Sequence, residues 1–269
     1  DYRRRITRVP HAMYHLVKTL WHKRPQIVHY FLPESYVLGG VCSLFAPPCL
    51  RLMSRRSLNN YQFNRPVISF IERWLHRKMD AVLANSKAVS RDLSAEGVAS
   101  SRLGLLYNGV EVPKVQGLPE RLEARNNLGI SKEMLVLVTV ANLIPYKGHA
   151  ETIDALGQIK TTLPEDWLIL MLGEDRGVGE SLKRQAQQVG IQDHIRWLGA
   201  TNEVFGYLVA ADIAILVSHQ EGFSNSILEA MAVGLPTIVS AVGGNTEAIK
   251  DGERGLVVPK KDPDSLACA

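Results

Sequence analysis

Two glutamates eight residues apart, Glu221 and Glu229, stand where side chains could do chemistry. They bracket the run Glu221-Gly222-Phe223-Ser224-Asn225-Ser226-Ile227-Leu228-Glu229-Ala230-Met231. The run directly follows Ile213 to Val217, an apolar stretch that reads as a buried strand. Glu221 then falls in the loop at a strand's carboxyl end, and Glu229 on the helix that follows. In open α/β sheets that edge is where ligands bind. Gly222 lets the backbone approach a ligand, and the N–H groups from Phe223 to Ser226 form a helix start that favours anions. An anionic or polyhydroxyl ligand suits such a place.

Glu229 is the odd residue. Ile227, Leu228, Ala230, Met231 and Ala232 make its helix apolar on nearly every side, the pattern of a buried helix. A carboxylate there must pair with an arginine, reach water or face a polar cavity, because an unpaired buried charge is very costly. For Glu221 the plain alternative is a helix-start carboxylate favoured by the macrodipole. A second loop, Ala141-Asn142-Leu143-Ile144-Pro145-Tyr146-Lys147-Gly148-His149, also lies between a strand and a helix. Lys147 sits at the unfavourable end of that helix dipole, and a bound phosphate would reverse the sign. Its plain alternative is a lysine with its head in solvent.

These loops need a sheet to hold them. From Glu133 onward, β-rich runs (Leu135 to Val140, Trp167 to Leu172, His194 to Leu198, Asp212 to Val217, Pro236 to Ser240, Gly255 to Val258) alternate with helical patterns. Glu151 to Ile159 and Glu180 to Val189 are two of those helices. Such alternation predicts a parallel, Rossmann-like sheet of six strands. The first part of the chain offers fewer elements: a strand over Ile27 to Phe31, a helix over Ser35 to Leu44, and a helix with Val67, Ile71, Trp74 and Leu75 on one face. Strands follow over Ala81 to Ala84 and Leu103 to Tyr107. Asn108-Gly109-Val110 before Pro113 reads as a turn and stiff link, so the expected domains are 1–109 and 110–269.

The chain has 269 residues and a net charge of +4, which hides an uneven split. Residues 1–110 carry 17 Lys+Arg against 6 Asp+Glu, and residues 111–269 carry 14 against 21. A basic half suits an anionic partner such as a membrane surface or lipid phosphate, or is a plain solvated surface. Three cysteines without a short metal-type pair indicate neither a disulfide framework nor a zinc site, and read as a reducing compartment. No run has the roughly 18 apolar residues of a membrane span. The chain starts at Asp1 without an initiator Met and stops where Asp264-Ser265-Leu266 reads as a helix start, so both ends read as cut.

The ordered set Glu221-Gly222-Phe223 to Glu229-Ala230-Met231, Gly234-Leu235-Pro236 and Val242-Gly243-Gly244 resembles glycosyltransferase family 4. The resemblance extends upstream through Leu198-Gly199, Leu172-Gly173, Lys147-Gly148-His149 and Asn108-Gly109-Val110. It implies an α/β fold of GT-B type, two Rossmann-like domains with parallel sheets, the first incomplete here. It also implies a retaining transferase of hexose type that needs no metal or cofactor; the one triplet that could suggest otherwise, Asp262-Pro263-Asp264, stands at a helix start near the end of the chain. The substrate would be a UDP- or GDP-sugar, and the acceptor a glycan or lipid-linked molecule in polysaccharide assembly. The base, the sugar and the acceptor stay open.

Residue roles follow from the resemblance. Glu229 would accept from the ribose hydroxyls, Lys147 would neutralise the diphosphate, and Glu221 would lie near the donor sugar. Gly222, Phe223 and Ser224 would contact that sugar through the backbone, and Leu198 and Gly199 would flank the base. Asn142 stands where much of the family has an arginine, so phosphate binding would rest more on Lys147. The family's first glycine-rich loop has no counterpart in this sequence, which leaves a nucleotide-sugar binding module without turnover as the rival reading.

On the first domain, His29, Arg55 and Arg56 are candidates for the acceptor side, each with a structural or solvated alternative. Arg3-Arg4-Arg5 with Arg8, Lys18, Lys23 and Arg24 suits anionic lipid, and the resemblance implies a cytoplasmic protein peripheral to the inner membrane face. A nicotinamide-dependent oxidoreductase is disfavoured, since Gly177-Val178-Gly179 lacks the third glycine of a dinucleotide loop. Nucleic acid is disfavoured too, for want of a basic, aromatic-rich strand pattern.

Overall fold

The computed structural model describes residues 2–62, 65–112 and 118–269, and the side chains of all of these except 2–8, 60, 61 and 118. Pro113 of the expected link and the side chains of Arg3, Arg4, Arg5 and Arg8 lie outside the described residues. The chain divides into two compact units, Asp1–Tyr107 and Asn108–Ala269. Among the described residues no helix is long and apolar enough to cross a membrane.

The first unit runs α1 (Tyr2–Lys23), β1 (Ile27–Phe31), α2 (Pro33–Ser43), β2 (Leu50–Arg55), α3 (Pro66–His76), β3 (Ala81–Ala84), α4 (Lys87–Ala95) and β4 (Leu103–Leu105). Its strands pair in parallel in the order β1-β2-β3-β4. Pro33 and Pro66 open their helices at the position where a missing N–H does no harm. Ser86 caps α4 by accepting from the Val89 N–H at 3.1 Å.

The strand β2 and the helix α1 are not announced by the sequence pattern. Arginines at positions 51 and 55 break the apolar alternation of β2, yet both find partners inside the fold. Arg51 donates to the Ser43 carbonyl at 3.1 Å. Arg55, 3% exposed, donates to Glu96 at 2.5 Å and to Glu72 at 3.2 Å. His76 joins Glu96 at 3.0 Å and the Tyr36 hydroxyl at 2.9 Å. Removing one member of such a buried set would strand an uncompensated charge.

Burial alone would raise the Glu96 carboxyl. Hydrogen bonds from His76 and Arg55, with the guanidinium charge, outweigh it and hold the group at about 2 against an ordinary 4.5. A depressed carboxyl contributes stability that is present above the unfolded value and lost as pH falls through the folded one. Between pH 4.5 and about 2 the chain is therefore expected to lose about 3 kcal/mol on account of this group. Urea unfolding across that range checks it: Glu96→Gln should lose less stability than the parent, and equal losses would contradict the role.

The second unit runs α5 (Leu118–Asn127), β5 (Leu135–Val140), α6 (His149–Ile159), β6 (Trp167–Leu172), α7 (Gly179–Val189), β7 (Ile195–Gly199), α8 (Val204–Ala210), β8 (Ile213–Leu216), α9 (Asn225–Ala232), β9 (Thr237–Ser240), α10 (Asn245–Ala248), β10 (Gly255–Val258) and α11 (Pro263–Cys268). All six strands read from the sequence form, with ends moved by a residue or so at β7, β8 and β9. They pair in parallel in the order β10-β9-β8-β5-β6-β7.

β6 is buried at every position because helices cover both faces of the sheet. Trp167, Ile169 and Met171 pack with Ile153, Leu156, Leu182 and Ile191. Leu168, Leu170 and Leu172 pack with Val136, Val138, Leu208 and Ala230. The helix α7 ends at Gly190 in the left-handed conformation, with the Ile191 N–H bonded to the Ala186 carbonyl at 3.0 Å.

Candidate functional site

The strand order reverses between β5 and β8, which lie side by side while their chain connections run to opposite edges of the sheet. In open α/β sheets such a switch point is where a crevice forms beyond the strands' carboxyl ends. The two loops singled out in the sequence leave from these two strands. Across the crevice Lys147 Nζ meets Glu221 Oε1 at 2.5 Å, the two side chains being 19% and 11% exposed. The pair holds the lysine at the crevice and offsets part of its charge.

The loop that carries Glu221 is fastened on every side. The His219 N–H donates to the Tyr146 carbonyl at 2.8 Å, and His219 Nε2 meets Glu151 Oε1 at 2.8 Å. Gly148, at φ +76°, lies against the Val217 carbonyl, and Gly243, at φ +50°, against that of Glu221; a Cβ at either position would overlap the carbonyl. The Gly244 N–H donates to Gly222 at 3.0 Å. Asn108 Nδ2 donates to the Phe223 carbonyl at 3.0 Å and to Asn225 Oδ1 at 2.8 Å.

Glu229 lies on α9, half-buried, and among the described residues no cation or hydrogen-bond donor meets its carboxylate. Burial therefore raises its pKa above the ordinary 4.5. Of the three explanations the sequence allowed for this carboxylate, pairing with an arginine is not found among the described residues. At the start of α9, Ser224 is 8% exposed and its hydroxyl bonds to that of Ser226 at 2.9 Å. Ser224 makes no side-chain cap, so the first amides of α9 face outward from the helix without one.

Asn142 lies in the loop with Lys147, and its side-chain oxygen accepts from the Glu174 N–H at 3.0 Å. An arginine has no acceptor and could not make that tie to the neighbouring β6–α7 loop. The Asn142 carbonyl takes a bond from His149 Nε2 at 3.1 Å, and burial lowers the His149 pKa, keeping the ring neutral. Leu198 and Gly199 end β7, two strands from β5; Gly199, at φ +67°, is held through its carbonyl by the Gly173 N–H at 2.8 Å.

In the first unit the expected acceptor residues differ in burial and in partners. Arg55 is a correction: its Nη atoms are committed to Glu72 and Glu96 in the buried network, which leaves it no charge to offer a ligand. Arg56 is exposed, and together with Leu32, Pro33, Met53, Ser54, Ser57 and the buried Arg55 it lines a cavity of about 90 Å³. His29 Nε2 bonds the Ser54 hydroxyl at 2.8 Å, and burial lowers its pKa.

The sequence did not disclose His219 and Glu151, and it offered Asn108 only as part of the Asn108-Gly109-Val110 motif, without a role. Asn108 reads as a turn residue, His219 as a loop residue and Glu151 as a first-turn acid, each adequate by itself. The pairing of β5 with β8 brings Glu151 and His219 together, and Asn108 reaches the site through its side-chain bonds to Phe223 and Asn225.

Comparison with known proteins places this geometry. The model of the glycosyl transferases group 1 matches residues 120–269, and that of glycosyltransferase family 4 matches residues 2–113. A D-inositol 3-phosphate glycosyltransferase of Geodermatophilus obscurus is 32% identical over 200 residues, covering 71% of this chain and 44% of the relative. One from Thermomonospora curvata is 27% identical over 203 residues, covering 70% and 47%. The chain thus spans less than half the length of these relatives. Among solved structures, Anabaena HepE in complex with UDP and glucose superposes with TM-score 0.86 at 21% identity, covering 95% of this chain and 70% of that one. Sucrose-phosphate synthase of Thermosynechococcus elongatus follows at TM-score 0.76 and 23% identity, covering 91% and 63%. At such identities the likeness is one of fold, the two-sheet GT-B architecture.

Proposed function

Because the chain belongs to the glycosyl transferases of group 1, we propose that its second unit binds a UDP- or GDP-sugar and that the protein transfers the hexose, with retention, to a glycan or lipid-linked acceptor. The observation that carries this reading is Glu229. A half-buried carboxylate with no cation among the described residues, on a helix beside a topological switch point, suits a pair of vicinal ribose hydroxyls, as carboxylates do in dinucleotide sites. The UDP bound by the HepE structure supports a nucleotide donor.

The chemistry follows from the charges. The bond from the sugar's anomeric carbon to the donor phosphate breaks, and the acceptor oxygen bonds to that carbon on the same face. The acceptor's proton passes to the departing phosphate. Negative charge grows on that phosphate, and Lys147 with the first amides of α9 stabilises it. Glu221, Gly222, Phe223 and Ser224 hold the sugar, Leu198 and Gly199 flank the base, and Asn142 stands beside the phosphates as a neutral donor. Arg56 and His29 serve the acceptor. The basic first unit suits placement against an anionic membrane face on the cytoplasmic side.

Glu221→Gln separates the two tasks of its residue. With its partner neutral, Lys147 presents its full charge to the diphosphate, so UDP or GDP is expected to bind more tightly while transfer falls. Calorimetry and a transfer assay together check this; unchanged activity would reduce Glu221 to a helix-start carboxylate. The reaction as a whole is tested by ¹H NMR of the first product formed from an α-linked donor. An α anomer is expected. A β product would contradict retention, and binding without transfer by the full protein would contradict an enzyme.

A further inference from the structure

The charged pair across the crevice has a neighbour. Lys147 and Glu221 form one rung between the β5–α6 and β8–α9 loops. Glu151 and His219 form a second at 2.8 Å, four residues after the lysine and two before the glutamate. A backbone bond from the His219 N–H to the Tyr146 carbonyl, 2.8 Å, lies between them. The Glu151 and His219 side chains are 17% and 20% exposed. Among the described residues Glu151 Oε2 is buried without a hydrogen-bond partner, so the contact of Oε1 with His219 is what ties down this carboxylate.

We propose that Glu151 and His219 are a positioning pair that sets Lys147 and Glu221 in register for the donor's diphosphate, without touching the reacting atoms. The proposal rests on the nucleotide-sugar reading. A lysine head hangs on a stem of four rotatable carbons, and one ion pair does not fix where such a head lies. The second rung ties the first turn of α6 to the loop that carries Glu221, so the backbones of the two loops stay in register when the Lys147 head turns from Glu221 to a phosphate. The Gly148 backbone packed on Val217 is the pivot between the rungs.

The test compares UDP with UMP by calorimetry on the full chain, or GDP with GMP if guanine is the base. The ratio of the two affinities reports the diphosphate cradle, because base and ribose contacts are common to both. In Glu151→Ala the ratio is expected to narrow about tenfold with monophosphate affinity unchanged. Glu151→Gln still accepts from His219 and should restore most of the ratio. Amide exchange over residues 217–224 should quicken in Glu151→Ala and stay at the parental rate over 237–240. If that variant does not fold, His219→Ala carries the same expectations.

A parental ratio and parental exchange in the variants would overturn the pair alone, as would equal losses for both nucleotides, which mark a general structural role. A folded parent that binds neither nucleotide, or binds both equally, would overturn the donor reading and the pair with it.

Discussion

Replacing Lys147 by alanine is expected to lower kcat about 100-fold while changing the donor KM much less. The reasoning is one of charge. In the resting protein the ammonium is matched by Glu221 at 2.5 Å, so a bound donor competes for it. As the anomeric bond stretches, the departing phosphate gains charge and the competition shifts toward the ligand. An interaction stronger in the transition state than in the ground state appears in kcat. Steady-state kinetics on the variant decide the matter: a loss carried entirely by KM would mean that Lys147 binds donor and transition state alike.

Glu229→Ala is expected to do two opposite things. It should weaken donor binding by about 1.5–3 kcal/mol, the worth of hydrogen bonds to a charged group. It should also raise the melting temperature of the ligand-free chain. The sign follows from linkage. Burial raises the folded-state pKa of this carboxyl above its unfolded 4.5, so the protonated form favours folding and the charge that appears above that range opposes it. Near neutral pH the parent carries a destabilising charge that alanine removes. Donor affinity should accordingly fall on acidification at a pH above that of an ordinary glutamate. Calorimetry and thermal unfolding on the same variant check both arms; a variant that is less stable and binds as before would make Glu229 a structural residue.

Much of the second unit was legible because its strands are buried on both faces, which writes them as unbroken apolar runs such as Trp167-Leu168-Ile169-Leu170-Met171-Leu172. The Lys147 and Glu221 loops were legible for the same reason, since a loop is located by the strand before it. Their contact was not, because sequence order does not say that β5 lies beside β8. The first unit was harder to read. Arg51 and Arg55 disguise β2, and their neutralisation by the Ser43 backbone and by Glu72 and Glu96 is a tertiary event. The same event buries Arg55, while its sequence neighbour Arg56 stays exposed. Glu151 and His219 carried no local signal, since their meaning lies in a pairing across 68 residues.

The donor site is tested most directly by calorimetric titration of the purified, demonstrably folded chain with UDP, GDP and ADP, with Glu229→Ala alongside. Saturable binding of one nucleotide class, abolished or strongly weakened by the substitution, is the expected result, and it would name the base. Absence of binding for all three, or binding that Glu229→Ala leaves untouched, would contradict a nucleotide held at the β5–β8 crevice by this carboxylate.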